Sequence, residues 1–158
     1  MMIIGMICGM NTTQGVCKKF DKNLHTEYDS FGREIVKNFI EKEFKLKALD
    51  NPDKYGVDLI IYHNSDVVGY AEVEVRNSWK DDVFPFSDLN IPYRKKKLFD
   101  NPLPTLFFSV NKKGSALLYC GSMVILSCEV KELYNKYVEK GELFFKVPLG
   151  MLKYSLVN

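Results

Sequence analysis

Asp58, Glu72 and Glu74 are carboxylates set inside the two most strand-like segments of the chain, Tyr55-Gly56-Val57-Asp58-Leu59-Ile60-Ile61-Tyr62 and Val67-Val68-Gly69-Tyr70-Ala71-Glu72-Val73-Glu74-Val75-Arg76. Side chains alternate across a strand, so Tyr70, Glu72, Glu74 and Arg76 share one face of the second segment while Ala71, Val73 and Val75 pack behind it. Three carboxylates can then converge. Buried and unpaired, each costs several kcal/mol or shifts its pKa until it neutralises, so such a cluster usually serves a cation or a proton transfer. Hard oxygen ligands of this kind suit Mg²⁺ or Mn²⁺. The ordinary alternative is that Asp58 bonds local backbone beside a turn. Glu72 and Glu74 would then line a solvated sheet face with a Glu74–Arg76 or cross-strand ion pair.

These residues need a scaffold, and the flanking patterns supply one. Asp29 and Ser30 can cap a helix over about residues 30 to 45, whose stripe is Phe31, Ile35, Phe39 and Ile40, joined by Val36 and Phe44. Leu46 to Leu49 is a short leading strand or a connection, and His63-Asn64-Ser65-Asp66 joins the two acidic strands as a hairpin. Residues 77 to 86 read as an ordered loop in which Trp79, Phe84 and Phe86 pack rather than stack on bases. A short helix with Pro92 in its first turn follows over Arg94 to Leu98. Strands are expected at Thr105–Val110, Ala116–Cys120, Met123–Ser127 and Leu143–Val147. The spacing of Val130, Leu133, Tyr134, Tyr137 and Val138 predicts a helix stopped by Gly141. The fold class is therefore α/β, a mixed central β-sheet flanked by helices, in one domain spanning 1–158 with its core at about 30–127 and a tail or accessory strand over 1–25.

With 158 residues, 46% of them hydrophobic and 13% aromatic, the chain suits one packed core and not disorder. The net charge of +2 announces no global basic field, but Arg94, Lys95, Lys96 and Lys97 stand together, with Lys112 and Lys113 nearby in sequence, as a candidate phosphate-binding rim. Four cysteines without a Cys-x-x-Cys pair, and His25 and His63 as the only histidines, give no zinc framework. The thiols read as reduced and structural, and the location as intracellular. The apolar opening segment is too short for a membrane helix, so no membrane partner is expected.

The helix, the strand with Asp58 and the strand with Glu72-Val73-Glu74 together resemble the PD-(D/E)xK nuclease superfamily over roughly residues 30 to 110. The resemblance implies a restriction-endonuclease-like core, with Asp58, Glu72 and the Val73 backbone carbonyl holding Mg²⁺ or Mn²⁺. It also implies Glu34 as an accessory metal acid, with Glu41 as its rival. Glu74 stands where that superfamily usually has Lys, although some restriction endonucleases of the group carry Glu-x-Glu. Arg76 or Lys80 would supply the positive charge that the usual Lys gives, completing a catalytic set of Asp58, Glu72, Glu74, Arg76 and Lys80. The implied activity is hydrolysis of DNA phosphodiester bonds by a metal-activated water, with RNA left open. A homodimer and an origin in a virus or mobile element are compatible with it. The alternative function is a catalytically inactive nucleic-acid-binding protein of the same fold, with Glu74 marking the lost lysine.

Overall fold

The computed structural model describes residues 2–4, 22–135 and 138–158. In chain order the strands are β1 (Met2–Ile4), β2 (Lys47–Asp50), β3 (Leu59–His63), β4 (Asp66–Arg76), β5 (Asp88–Pro92), β6 (Thr105–Asn111), β7 (Ala116–Gly121), β8 (Glu129–Asn135), β9 (Val138–Pro148) and β10 (Lys153–Leu156). The helices are α1 (Lys22–Phe39), α2 (Lys96–Phe99) and α3 (Ser122–Ser127). Of residues 1–25, Met2–Ile4 forms β1 and the last four belong to α1, while Cys8 and Cys17 lie outside the described residues.

The central sheet has seven strands in the order β10-β7-β6-β4-β3-β2, with β1 also on β4. It is mixed: β4 runs parallel to β6 and to β1, and the other ladders are antiparallel. The acidic hairpin forms as expected. His63 pairs with Asp66 around Asn64-Ser65, and Asn64 takes the left-handed conformation (φ 56°) that a two-residue hairpin turn demands.

Helix α1 begins well before Asp29 and Ser30, so these residues lie inside it and do not cap it. A π-helical turn, Ile40–Phe44, continues it and ends at Lys45 in the left-handed region. The predicted stripe is buried or half-buried except for Phe31, which is exposed. Val36, Phe39 and Ile40 pack on Ala71, Val73, Val75, Phe108 and Val110, with Ile35 and Phe44 against the same cluster.

The opposite face of the sheet is covered by a second, three-stranded antiparallel sheet, β5-β9-β8, with α2 and α3 beside it. Trp79, Leu89, Ile91, Phe99, Phe107, Leu118, Phe145 and Val147 fill the space between these layers. Two sequence expectations fail here. Met123–Ser127 is part of helix α3, with Met123 exposed and Ile125 buried; a short apolar run does not separate a strand from one helical turn. The helix predicted over Val130 to Val138 is instead the β8–β9 hairpin, and Gly141 lies within β9; Tyr137 falls outside the described residues. Val130, Leu133 and Tyr134 are all exposed, so no core contact enforces the helical spacing.

Gly114 closes the β6–β7 turn at φ +74°, and a Cβ there would press on Phe31 and come within 2.6 Å of Ile35 Cδ1. Gly114→Ala is therefore expected to lower unfolding stability by about 1–3 kcal/mol, measured by thermal or denaturant melting. An unchanged midpoint would mean that α1 and this turn yield freely.

Candidate active site

Strand β4 carries Glu72, Glu74 and Arg76 on the face turned towards the second sheet, while Val73 and Val75 lie in the core under α1. The register pairs Leu59 with Ala71, so Asp58 stands one residue before the ladder, at the level of Glu72. Its Oδ2 accepts the Val73 N–H at 2.8 Å. The two strands thus bring Asp58 beside the acidic strand through a bond to the residue between the two glutamates.

Glu72 and Glu74 are buried, at 4% and 0% exposure. Glu72 Oε1 forms an ion pair with Lys95 Nζ, and Lys95 is itself buried. Glu74 Oε1 accepts hydrogen bonds from Arg76 Nε at 2.7 Å and from Ser109 Oγ at 2.9 Å, and Arg76 Nη2 approaches the same oxygen at 2.6 Å. Arg76 Nη2 also donates to the Asn90 carbonyl at 3.2 Å, tying the acidic strand to β5 above it. Burial pushes the Glu74 carboxyl above its ordinary value, and Arg76, Ser109 and Lys95 offset part of that rise.

One oxygen of each glutamate is left over. Glu72 Oε2 and Glu74 Oε2 are buried and have no hydrogen-bond partner, as are Asn77 Oδ1 and Trp79 Nε1 further along. A buried carboxylate oxygen without a donor is costly, and two of them on one strand face are the hard donors that a divalent cation takes. In kind, this donor set fits Mg²⁺ or Mn²⁺. The three-acid convergence expected from the sequence is not formed: among the described residues no three Asp, Glu, His or Cys side chains stand together as a metal cluster. The cations Lys95 and Arg76 are the neighbours of Glu72 and Glu74 instead.

The remaining candidates are dispersed. Glu34 is exposed on α1 and pairs with Lys37 at 3.1 Å, which also holds Asp50 at 3.0 Å. Glu41 is exposed in the π-helical turn, and Lys80 is exposed in the loop after β4. The basic run is split by the turn of chain that carries it: Lys95 faces inward, Arg94 pairs with Glu142, Lys96 pairs with Asp100 at 2.6 Å, and Lys97 is exposed. Lys95 stands in a run of like residues expected to contact phosphate, but it is buried and paired with Glu72. Its spacing of four from Phe99, which is also buried, is the one faint mark of its direction within that turn. Trp79 and Phe84 are packing residues, 5.2 Å apart edge to face. Cys120 and Cys128 are free, and burial raises the Cys120 thiol to about 12, which keeps it unreactive.

No family model and no curated protein sequence matches the chain. Among solved structures, it is similar to one described as D212, a nuclease from a fusselovirus, at a TM-score of 0.46 and 13% identity, over 84% of this chain and 87% of that one. No helix among the described residues is long and apolar enough to cross a membrane.

Proposed function

We propose that this protein is a metal-dependent nuclease of the PD-(D/E)xK type that hydrolyses DNA phosphodiester bonds, with Mg²⁺ or Mn²⁺ as its cofactor. The observation that supports this reading is the pair of buried, unsatisfied oxygens, Glu72 Oε2 and Glu74 Oε2, on one face of β4 beside Asp58. Asp58 and Glu72 would hold the cation. When bound, such an ion supplies Lewis acidity towards a phosphoryl oxygen and makes water more acidic. Glu74, with its carboxyl raised by burial, accepts the proton from the attacking water. Arg76 orients Glu74, and Ser109 fixes the same oxygen from β6. Lys95 takes the part of the lysine missing from position 74, placing a positive charge against Glu72 where negative charge grows on the phosphate. Because Lys95 covers Glu72, substrate would reach the acids once the Tyr93–Phe99 segment moves aside. The reading places the protein's action inside a cell, the host's if a virus encodes it.

The test is cleavage of labelled single-stranded, duplex, flapped and four-way-junction DNA, and of RNA, with Mg²⁺ or Mn²⁺. Glu72→Ala, shown by circular dichroism to be folded, is expected to cut about a thousandfold more slowly than wild type, the scale of several kcal/mol of transition-state stabilisation. Wild type that cuts none of these substrates would sink the nuclease reading.

One observation favours a second reading. Both glutamates are already paired with cations of this chain, which suits an inactive nucleic-acid-binding module that kept a neutralised acidic strand. On that reading DNA is retained without cutting, and affinity falls when the exposed Arg94 and Lys97 are neutralised, with a shallower salt dependence.

A further inference from the structure

Besides the three-residue β1, which pairs with β4 alone, four strands stand at the ends of the two sheets, and three of them are guarded. β2 carries Lys47 and Asp50, the latter tied to α1 by Arg33 and Lys37. β5 carries Pro92 and an Asp88 facing Lys146, and β8 carries Glu129, Lys131 and Glu132. Charges and proline on an edge strand discourage pairing with another chain. β10 differs: after Lys153 it presents Tyr154, Ser155 and Leu156 with no further charge. Val157 N–H bonds Ser115 on the β7 side, so by the alternation of an antiparallel ladder Tyr154 and Leu156 turn backbone groups outward.

The same edge is apolar. Tyr154 and Leu156 are about half exposed, at 48% and 52%, and Val83 is exposed at 79%. Beside them lies a groove of about 350 Å³ lined by Val83, Phe84, Leu118, Leu149, Leu152 and Tyr154. Open backbone groups and an adjoining apolar surface together fit an incoming strand with apolar side chains.

We propose that this edge is the interface with a second copy of the chain, β10 pairing antiparallel with β10 of that copy around a two-fold axis to make one continuous sheet. The strand is self-complementary. With the axis at Ser155, Tyr154 of each copy stands opposite Leu156 of the other and Lys153 opposite Val157, so the outward backbone groups meet, no like charges oppose, and each copy brings its Leu156 to the other's apolar edge. A foreign strand would need to supply the same alternation that this chain already has.

The experiment is sedimentation velocity and light scattering of the full chain across a concentration series, which requires no nuclease activity and so stands apart from the reading above. The expected mass is twice 18.3 kDa. Leu156→Lys is expected to weaken association about tenfold or more. Val130→Lys on the β8 edge is expected to leave it unchanged, with circular dichroism establishing that both variants fold. A monomer at every concentration overturns the proposal. So does a dimer that persists unaltered in Leu156→Lys and in a second edge variant, Tyr154→Lys.

Discussion

Arg76→Gln is expected to lower the free energy of unfolding by about 3–5 kcal/mol, because it leaves Glu74 buried without its counter-charge. Glu74 is wholly enclosed, and its Oε1 rests on Arg76 and Ser109. Ser109 alone does not neutralise a carboxylate. The loss of the Arg76–Asn90 bond also loosens β5, so part of the effect is lost packing of the second sheet. The pH dependence has a definite sign. Burial raises the Glu74 carboxyl above its ordinary value of 4.5. A group raised in this way contributes stability that is fully present below its unfolded value and is lost as pH rises through its folded value. Removing Arg76 raises the folded value further, so the deficit of the variant is expected to widen as pH rises through the folded wild-type value, which lies above 4.5, and to narrow below it. Urea melts of both proteins between acidic and neutral pH check this; a deficit constant across that range would show that the ion pair is not its source.

Lys95→Met is the second large effect. On the nuclease reading it is expected to slow cleavage about a hundredfold to a thousandfold while leaving DNA retention nearly intact, since the lysine faces Glu72 and not the solvent. The variant also strands Glu72, which is 4% exposed, and loses stability for the reason given for Arg76. The double variant Glu72→Gln with Lys95→Met separates the two effects, because it removes both charges. Its stability is expected to recover part of the loss, with a coupling of about 0.5–3 kcal/mol, while its cleavage does not recover. Wild-type rates in folded Lys95→Met would remove the lysine from the chemistry.

The hairpin of β3 and β4 was legible because alternation and a turn signal coincide there, and α1 because Val36, Phe39 and Ile40 keep helical spacing against one apolar layer. The sharing of one face by Glu72, Glu74 and Arg76 followed from the same alternation. The cover over that face was not legible. β5 is five residues containing Asn90 and Pro92, and its partner β9 lies far down the chain, so only a long-range pairing defines it. β8 is exposed throughout its described side chains, which leaves no burial to write a period of two into its sequence. Whether the acids meet a metal, solvent or the chain's own cations depended on that cover, and so on Lys95, whose inward turn is hidden among three outward basic neighbours.

Trp79, the one tryptophan of the chain, lies wholly buried between the sheets, edge-on to Phe84, and its indole N–H has no acceptor. Its surroundings are apolar, so its fluorescence lies towards the blue while the layers are closed. Parting them admits water to the ring and shifts the emission to the red. The molecule thus holds a single built-in optical gauge between its two sheets, read without a label.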